Sequence, residues 1–168
     1  MSTPALTPLA AAVLAAGEPE RVLEVECGDG EATLFLSREF PRARIRGVDR
    51  SEHAVRRATA RVGLDPEGRV AFKVGRPGSL PFPDDHFDLV ALVDANPAAA
   101  ETARVLRPDG LLVLAYTDRS RVPGGLRGWL LRRGLERSGI EPVSAAEVGA
   151  GSFSVARWRG EGRVSADV

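Results

Sequence analysis

The sequence predicts a three-layer α/β fold: one mostly parallel sheet of seven strands, helices on both faces, and an antiparallel strand at the C-terminal end. Three observations point there. Short apolar runs alternate with amphipathic stretches along the chain. The first run is followed by a glycine-containing turn that opens a helix, and the last two runs flank Gly149-Ala150-Gly151, the turn of a hairpin. With 168 residues, one domain over 1–160 is expected, and the polar composition of 161–168 is that of a disordered tail.

Thr7 and Pro8 read as N-cap and first helical position of a leading helix that runs through Ala16 to a stop at Gly17. Arg21 to Val25 is a strand, Gly30 to Arg38 a helix with Leu34 and Phe35 turned inward, and Arg44 to Val48 a second strand. Ser51 caps a helix in which Ala54, Val55, Ala58 and Val62 recur at three- and four-residue spacing before Gly63. Strands follow at Arg69 to Val74, Phe87 to Val93 and Leu111 to Tyr116, with a helix from Pro97 to Leu106 that Asn96 is placed to cap. Leu126 to Glu136 is helical by pattern, and Glu141 to Val148 with Phe153 to Trp158 form the closing strand pair.

Composition excludes several classes of function. Lys plus Arg and Asp plus Glu balance at 23 each, which removes the bulk electrostatic attraction of a nucleic-acid or anionic-membrane binder. Cys27, the one cysteine, cannot form an internal disulfide or a cysteine-based zinc site, and reads as a small buried residue. The apolar opening from Pro4 to Ala16 is broken by Pro8 and falls short of the ~18 residues that span a bilayer. Without Lys or Arg before Arg21, a secretory leader is not expected and a cytoplasmic location is.

In an open parallel sheet, ligands bind beyond the carboxyl ends of the strands, where the strand order reverses. The first strand leaves through Glu24-Val25-Glu26-Cys27-Gly28-Asp29-Gly30, whose glycines let backbone approach a ligand at the start of a helix. The second strand ends at Asp49, 19 residues after Gly30, a spacing at which a carboxylate accepts hydrogen bonds from ribose hydroxyls. Asp49 reads equally as a helix N-terminal charge beside Ser51.

Val22 to Gly30, Gly47-Val48-Asp49, the run Leu80-Pro81-Phe82-Pro83-Asp84-Asp85-His86-Phe87-Asp88-Leu89-Val90 and the run Ala103 to Leu112 occur in that order. Together they resemble a class I S-adenosylmethionine-dependent methyltransferase, most closely its small-molecule branch, over roughly residues 18 to 118. The resemblance implies a Rossmann-like methyltransferase fold, S-adenosylmethionine as cofactor and methyl transfer to a small-molecule acceptor. It implies that the loop from Glu24 through Glu26, Cys27 and Gly28 to Gly30 lies beside the methionine part. Asp49, followed by Arg50, would hold the ribose, and residues 75 to 77, including Arg76 and Pro77, would flank the adenine. Val93 and Asp94 match the region that positions cofactor and acceptor, or else are a strand end and a turn carboxylate. In-line displacement at a sulfonium methyl needs alignment above all, so no triad is required. Where an acceptor needs a base, Asp94, Asp118 and His86 are the available groups.

The chain departs from this pattern in three places. Glu26 stands where the family has its first glycine, and a left-handed backbone there would cost about 1 to 2 kcal/mol. Its charge would repel a cofactor carboxylate, attract an ammonium or sulfonium, or do little in solvent. Arg76, donor only, replaces an acceptor for the adenine amino group, and has Glu26 or Asp49 as possible partners. The short stretch between the fourth strand and Ala103 implies an open acceptor site, one that suits a large acceptor or a covering protein partner or second copy. Asn96-Pro97 echoes an amino-group methyltransferase motif that Ala98 and Ala99 break.

Two rival readings remain. A degenerate, non-catalytic family member would bind a partner, with Arg119, Arg121, Arg127, Arg132, Arg133, Arg137 and Trp129 as a contact patch; the same residues read as the solvated face of an amphipathic helix. A nicotinamide-dependent oxidoreductase would need a third glycine where Thr33 stands, and a Tyr-Lys pair that Tyr116 and Lys73, on different strands, do not supply.

Overall fold

The computed structural model describes residues 6–160; the polar tail 161–168 lies outside them. The elements run α1 (Thr7–Val13), β1 (Arg21–Val25), α2 (Glu31–Glu39), β2 (Arg44–Asp49), α3 (Glu52–Val62), β3 (Val70–Val74), β4 (Phe87–Val93), α4 (Ala99–Val105), β5 (Leu106–Tyr116), α5 (Gly125–Arg137), β6 (Ile140–Val148) and β7 (Gly151–Trp158), with a short 3-10 turn at Arg119–Arg121. The strand order is β3-β2-β1-β4-β5-β7-β6. β1 to β5 are parallel, and β7 runs antiparallel to both β5 and β6. The order therefore reverses between β1 and β4, the place beyond whose carboxyl ends open sheets of this kind bind ligands.

Alternation along each strand divides the core in two. Val22, Ile45, Leu89, Val113 and Val155 meet Leu9, Phe35 and Leu36 from α1 and α2 on one face. Leu23, Val25, Val90, Leu112 and Leu114 meet Ala103 and Val105 of α4 on the other, where Leu131 and Leu135 of α5 pack only partly. Central strands buried on both faces are why their sequences read as near-continuous apolar runs.

Several expected boundaries shift for local reasons. α1 begins at Thr7 with Leu6 as N-cap, so Thr7 caps nothing, and it ends at Val13 rather than Ala16. Ser51 does cap α3, its Oγ accepting from the Ala54 N–H at 3.2 Å. Asn96 does not cap α4, which starts two residues later than expected with Ala98 as its N-cap; its Oδ1 instead accepts from the Tyr116 hydroxyl at 2.9 Å. β5 starts at Leu106, five residues early, because Leu106 already pairs with Phe87.

Much of the motif that follows β3 is structural. The Arg104 guanidinium donates to Glu101, to Asp84 and to the carbonyls of Leu80 and Phe82, all within 3.1 Å, while Glu101 accepts from the Leu80 N–H at 2.7 Å. This fastens the segment between β3 and β4 to α4. Asp88 accepts from the N–H groups of Glu20 and Arg21 and from Arg107, and so anchors the start of β1. At the far edge, β6 is exposed along most of its length and carries Pro142 at a register shift against β7. Among the described residues no helix is long and apolar enough to cross a membrane.

Candidate functional site

The loop after β1 is shaped by two glycines with different duties. Gly30 is the left-handed N-cap of α2, at φ 84°, and a Cβ there would lie 2.8 Å from the Phe72 ring and 3.0 Å from Ala58. Gly47 is pressed against the same ring, where a Cβ would sit at 2.5 Å. These glycines let α2, β2, α3 and β3 close on one another. Gly28 differs: at φ 55° it too is left-handed, but a Cβ added there would meet nothing within 4 Å. Gly28 thus leaves open space beside bare backbone at the carboxyl end of β1.

Asp49 faces that space. Its Oδ2 accepts from the Gly28 N–H at 2.8 Å and its Oδ1 from the Ser51 N–H at 2.8 Å, which fixes the carboxylate across the ends of β1 and β2. An ionised carboxylate has about four acceptor sites, so these two bonds leave capacity for hydroxyl donors. The backbone carbonyl of Asp49 accepts from Gly75, tying in the exit of β3, where Arg76 and Ser79 close a turn beside Pro77.

Glu24 is buried beneath the loop and accepts from the Thr33 hydroxyl. Burial pushes its pKa up to about 8, against the opposing pull of its hydrogen bonds from Thr33. The side chain is therefore largely neutral at pH 7. Thr33, which stands where a dinucleotide fingerprint has a glycine, is the partner that makes this burial tolerable. Cys27 is buried with its thiol pKa pushed up by burial, which leaves it a packing residue.

Glu26 has the left-handed backbone that its position requires, φ 60°. Its side chain does not fill the gap at Gly28; Oε1 receives two bonds from Arg50, from Nε at 3.1 Å and from Nη2 at 2.6 Å. Arg50, 64% exposed, carries the charge of Glu26 out toward solvent. The pairing of Arg76 with Glu26 or Asp49 is thus not formed, and among the described residues the exposed Arg76 makes no ion pair.

Across the switch point, half-buried Val93 ends β4 and Asp94 follows at φ 53°. Asp94 accepts from Thr117 twice, from its N–H at 2.8 Å and its hydroxyl at 2.7 Å, with Arg121 at 3.7 Å. It clasps the exits of β4 and β5 together. Burial and the neighbouring Asp94 push the Tyr116 hydroxyl up to about 12, so it stays protonated. Asp118 caps the 3-10 turn, and its bond from Ser120 holds its pKa below the usual carboxylate range, which makes it a weak base. His86 is misplaced for chemistry: it precedes β4, whose six residue rises put about 20 Å between it and the site. Burial and nearby arginines lower its pKa. The arginine patch is dispersed as well, with Arg119 on Glu147, Arg121 on Asp94 and Arg133 over the Trp129 ring.

Comparison with known proteins bears on the family and the fold. Residues 22–110 match the family described as methyltransferase domain. The 27-O-demethylrifamycin SV methyltransferase of Amycolatopsis mediterranei is 30% identical, over 88% of this chain and 63% of its own length. The ubiquinone/menaquinone biosynthesis C-methyltransferase UbiE of Geobacter sulfurreducens is 36% identical over 62% of this chain and 45% of its own. The chain thus spans about half the length of such relatives. A SAM dependent methyltransferase from Aquifex aeolicus superposes with TM-score 0.74 at 21% identity, covering 92% of this chain and 91% of that one, and so shares the fold. A seven-stranded sheet reversed at β7 and a family match over more than half the chain establish that the chain belongs to the class I S-adenosylmethionine-dependent methyltransferases.

Proposed function

We propose that this domain transfers a methyl group from S-adenosylmethionine to a small-molecule acceptor above the carboxyl ends of β1 and β4. The observation that carries the reading is the hydrogen bond from Gly28 to Asp49 beside unfilled space, because it sets a fixed acceptor next to backbone that a ligand can approach. S-adenosylmethionine, when bound, supplies an electrophilic methyl on a sulfonium centre. Asp49 accepts from the ribose hydroxyls, Arg50 draws Glu26 away from the gap, and Gly28 admits the amino-acid part of the cofactor. Glu24 supports the loop from below through Thr33, and residues 75 to 77, at the exit of β3, flank the adenine.

Val93 and the Asp94–Thr117 clasp set the edge against which the acceptor is aligned. Alignment alone contributes about 7 to 11 kcal/mol to such a reaction, so the chain needs no nucleophile of its own. A cytoplasmic setting suits its free, buried Cys27. S-adenosylhomocysteine at 100 times its Kd is expected to stabilise the fold by about 2.7 kcal/mol, read as a rise in Tm. No rise at millimolar ligand would favour the second reading, a non-catalytic partner-binding protein. Two observations support that alternative: Glu26 in place of glycine, and the exposed Leu126, Trp129 and Leu130 on α5.

A further inference from the structure

The other half of the sheet holds a cavity of about 790 Å³ between α5 and β5-β7-β6, a size typical of sites that enclose small molecules. Its lining is mainly apolar: Leu112 and Leu114 on the floor, Ile140 at the inner end, Leu131 and Leu135 from the helix, and Val122 at the side. Charged groups of Arg132, Glu136 and Glu147 are also among the residues around it.

The sequence explains why α5 does not settle onto the sheet. Ser152, Ser154 and Ala156 pair with Tyr116, Leu114 and Leu112, and Ala145 of β6 pairs with Ser154, so the strands beneath the helix offer little side-chain volume. The approach to α5 is also fixed, since a Cβ at Gly128 would lie 2.3 Å from the Pro123 carbonyl oxygen. The cleft therefore leaves apolar surface of the sheet and of α5 uncovered on the side toward solvent.

The direction of the cavity links it to the site. It follows β5 from Leu112 to Tyr116, about 13 Å at the rise of a strand. At Tyr116 it reaches the carboxyl edge of the sheet, where that residue bonds Asn96 and the next, Thr117, bonds Asp94. We infer that the cavity beneath α5 binds the hydrocarbon chain, acyl or prenyl, of an acceptor whose polar head lies at the exits of β4 and β5. Placement of the head rests on the methyl-transfer reading; the chain site rests on the cavity itself.

The test is a fluorescence titration of the full chain with cis-parinaric acid, a fluorescent unsaturated fatty acid, beside calorimetry with S-adenosylhomocysteine. Saturable one-to-one binding is expected, weakened at least about ten-fold by Leu131→Trp, which fills the cavity from the helix, and by Ala156→Trp, which fills it from the sheet. Thermal melts by circular dichroism select whichever of the two variants is folded. Trp129→Ala, on the outer face of α5, is expected to bind as the wild type does. Palmitate and geranylgeraniol, as competitors, tell acyl from prenyl chains. Absence of saturable binding, equal binding by a folded filled variant, or loss of binding in Trp129→Ala would overturn the inference. Parinarate binding without S-adenosylhomocysteine binding upholds the chain site and sinks methyl transfer; the reverse result upholds methyl transfer and sinks the chain site.

Discussion

The two halves of the sheet are built to different tolerances. Around β1, β2 and β3, Gly30 and Gly47 take the Phe72 ring into gaps that no side chain could share, and a buried acid on β1 and a fixed carboxylate at the end of β2 flank the loop that leaves β1. Around β5, β7 and β6, α5 buries only Gly128 and leaves Leu126 at 71%, Leu130 at 54% and Trp129 at 48% exposure, above small residues. The first half is committed to one invariant shape, the nucleoside it is proposed to hold. The second has room for differing occupants, so the acceptor is where members of one fold diverge.

The contrast can be broken most forcefully through Glu24. Its pKa rises from an ordinary carboxyl value to about 8 on folding, so between about pH 4.5 and 8 the folded chain holds a proton that the unfolded chain has lost. Stability is therefore highest below that window and falls as pH rises through it, by at most about 1.4 kcal/mol per pH unit. Glu24→Gln is expected to flatten the profile, measured by urea unfolding across the range. Next comes Asp49→Ala, which removes the acceptor for two backbone N–H groups and the proposed ribose hydroxyls; calorimetry should show S-adenosylhomocysteine binding weakened by about 100-fold.

Gly47→Val forces a methyl-bearing carbon into the Phe72 ring and should cost about 1 to 3 kcal/mol by denaturant unfolding. Glu26→Gly relieves a left-handed non-glycine residue and gives up an ion pair to the exposed Arg50, and is expected to raise stability slightly in the same assay. Leu130→Ala, by contrast, is expected to change stability by no more than about 0.5 kcal/mol. A large loss there would show that α5 is as tightly seated as the helices of the first half.

The same division explains what could be read in the sequence. Strand and helix alternation was legible because buried parallel strands and amphipathic helices carry distinct periods, and a parallel sheet directs attention to the exit of its first strand, with Asp49 19 residues after Gly30. The start of β5 was not, since Arg107-Pro108-Asp109-Gly110 has the chemistry of a turn and lies in an irregularity of the ladder, between the pairing of Leu106 with Phe87 and that of Leu111 with Leu89. Asn96 looked like a cap because its residue type suits one, yet a tertiary bond from Tyr116, 20 residues away, claims it. Nothing local joins Glu26 to Arg50 either; parallel pairing of β1 and β2 brings their exits together. The bond between Thr33 and Glu24 was not read from the sequence, where Thr33 stood out only as the residue in place of a third glycine. The cavity under α5 was invisible to periodicity, which reports which face is apolar and not how closely it seats.

Pro142 on the outermost strand has a consequence for life at high concentration. A free sheet flank is a template onto which another copy can zip its own backbone, and proteins that do so become fibrous aggregates. Here the ring has no amide donor to offer, and the pairing register slips beside it. The molecule thereby keeps an open-ended architecture while denying crowded neighbours a straight seam to extend.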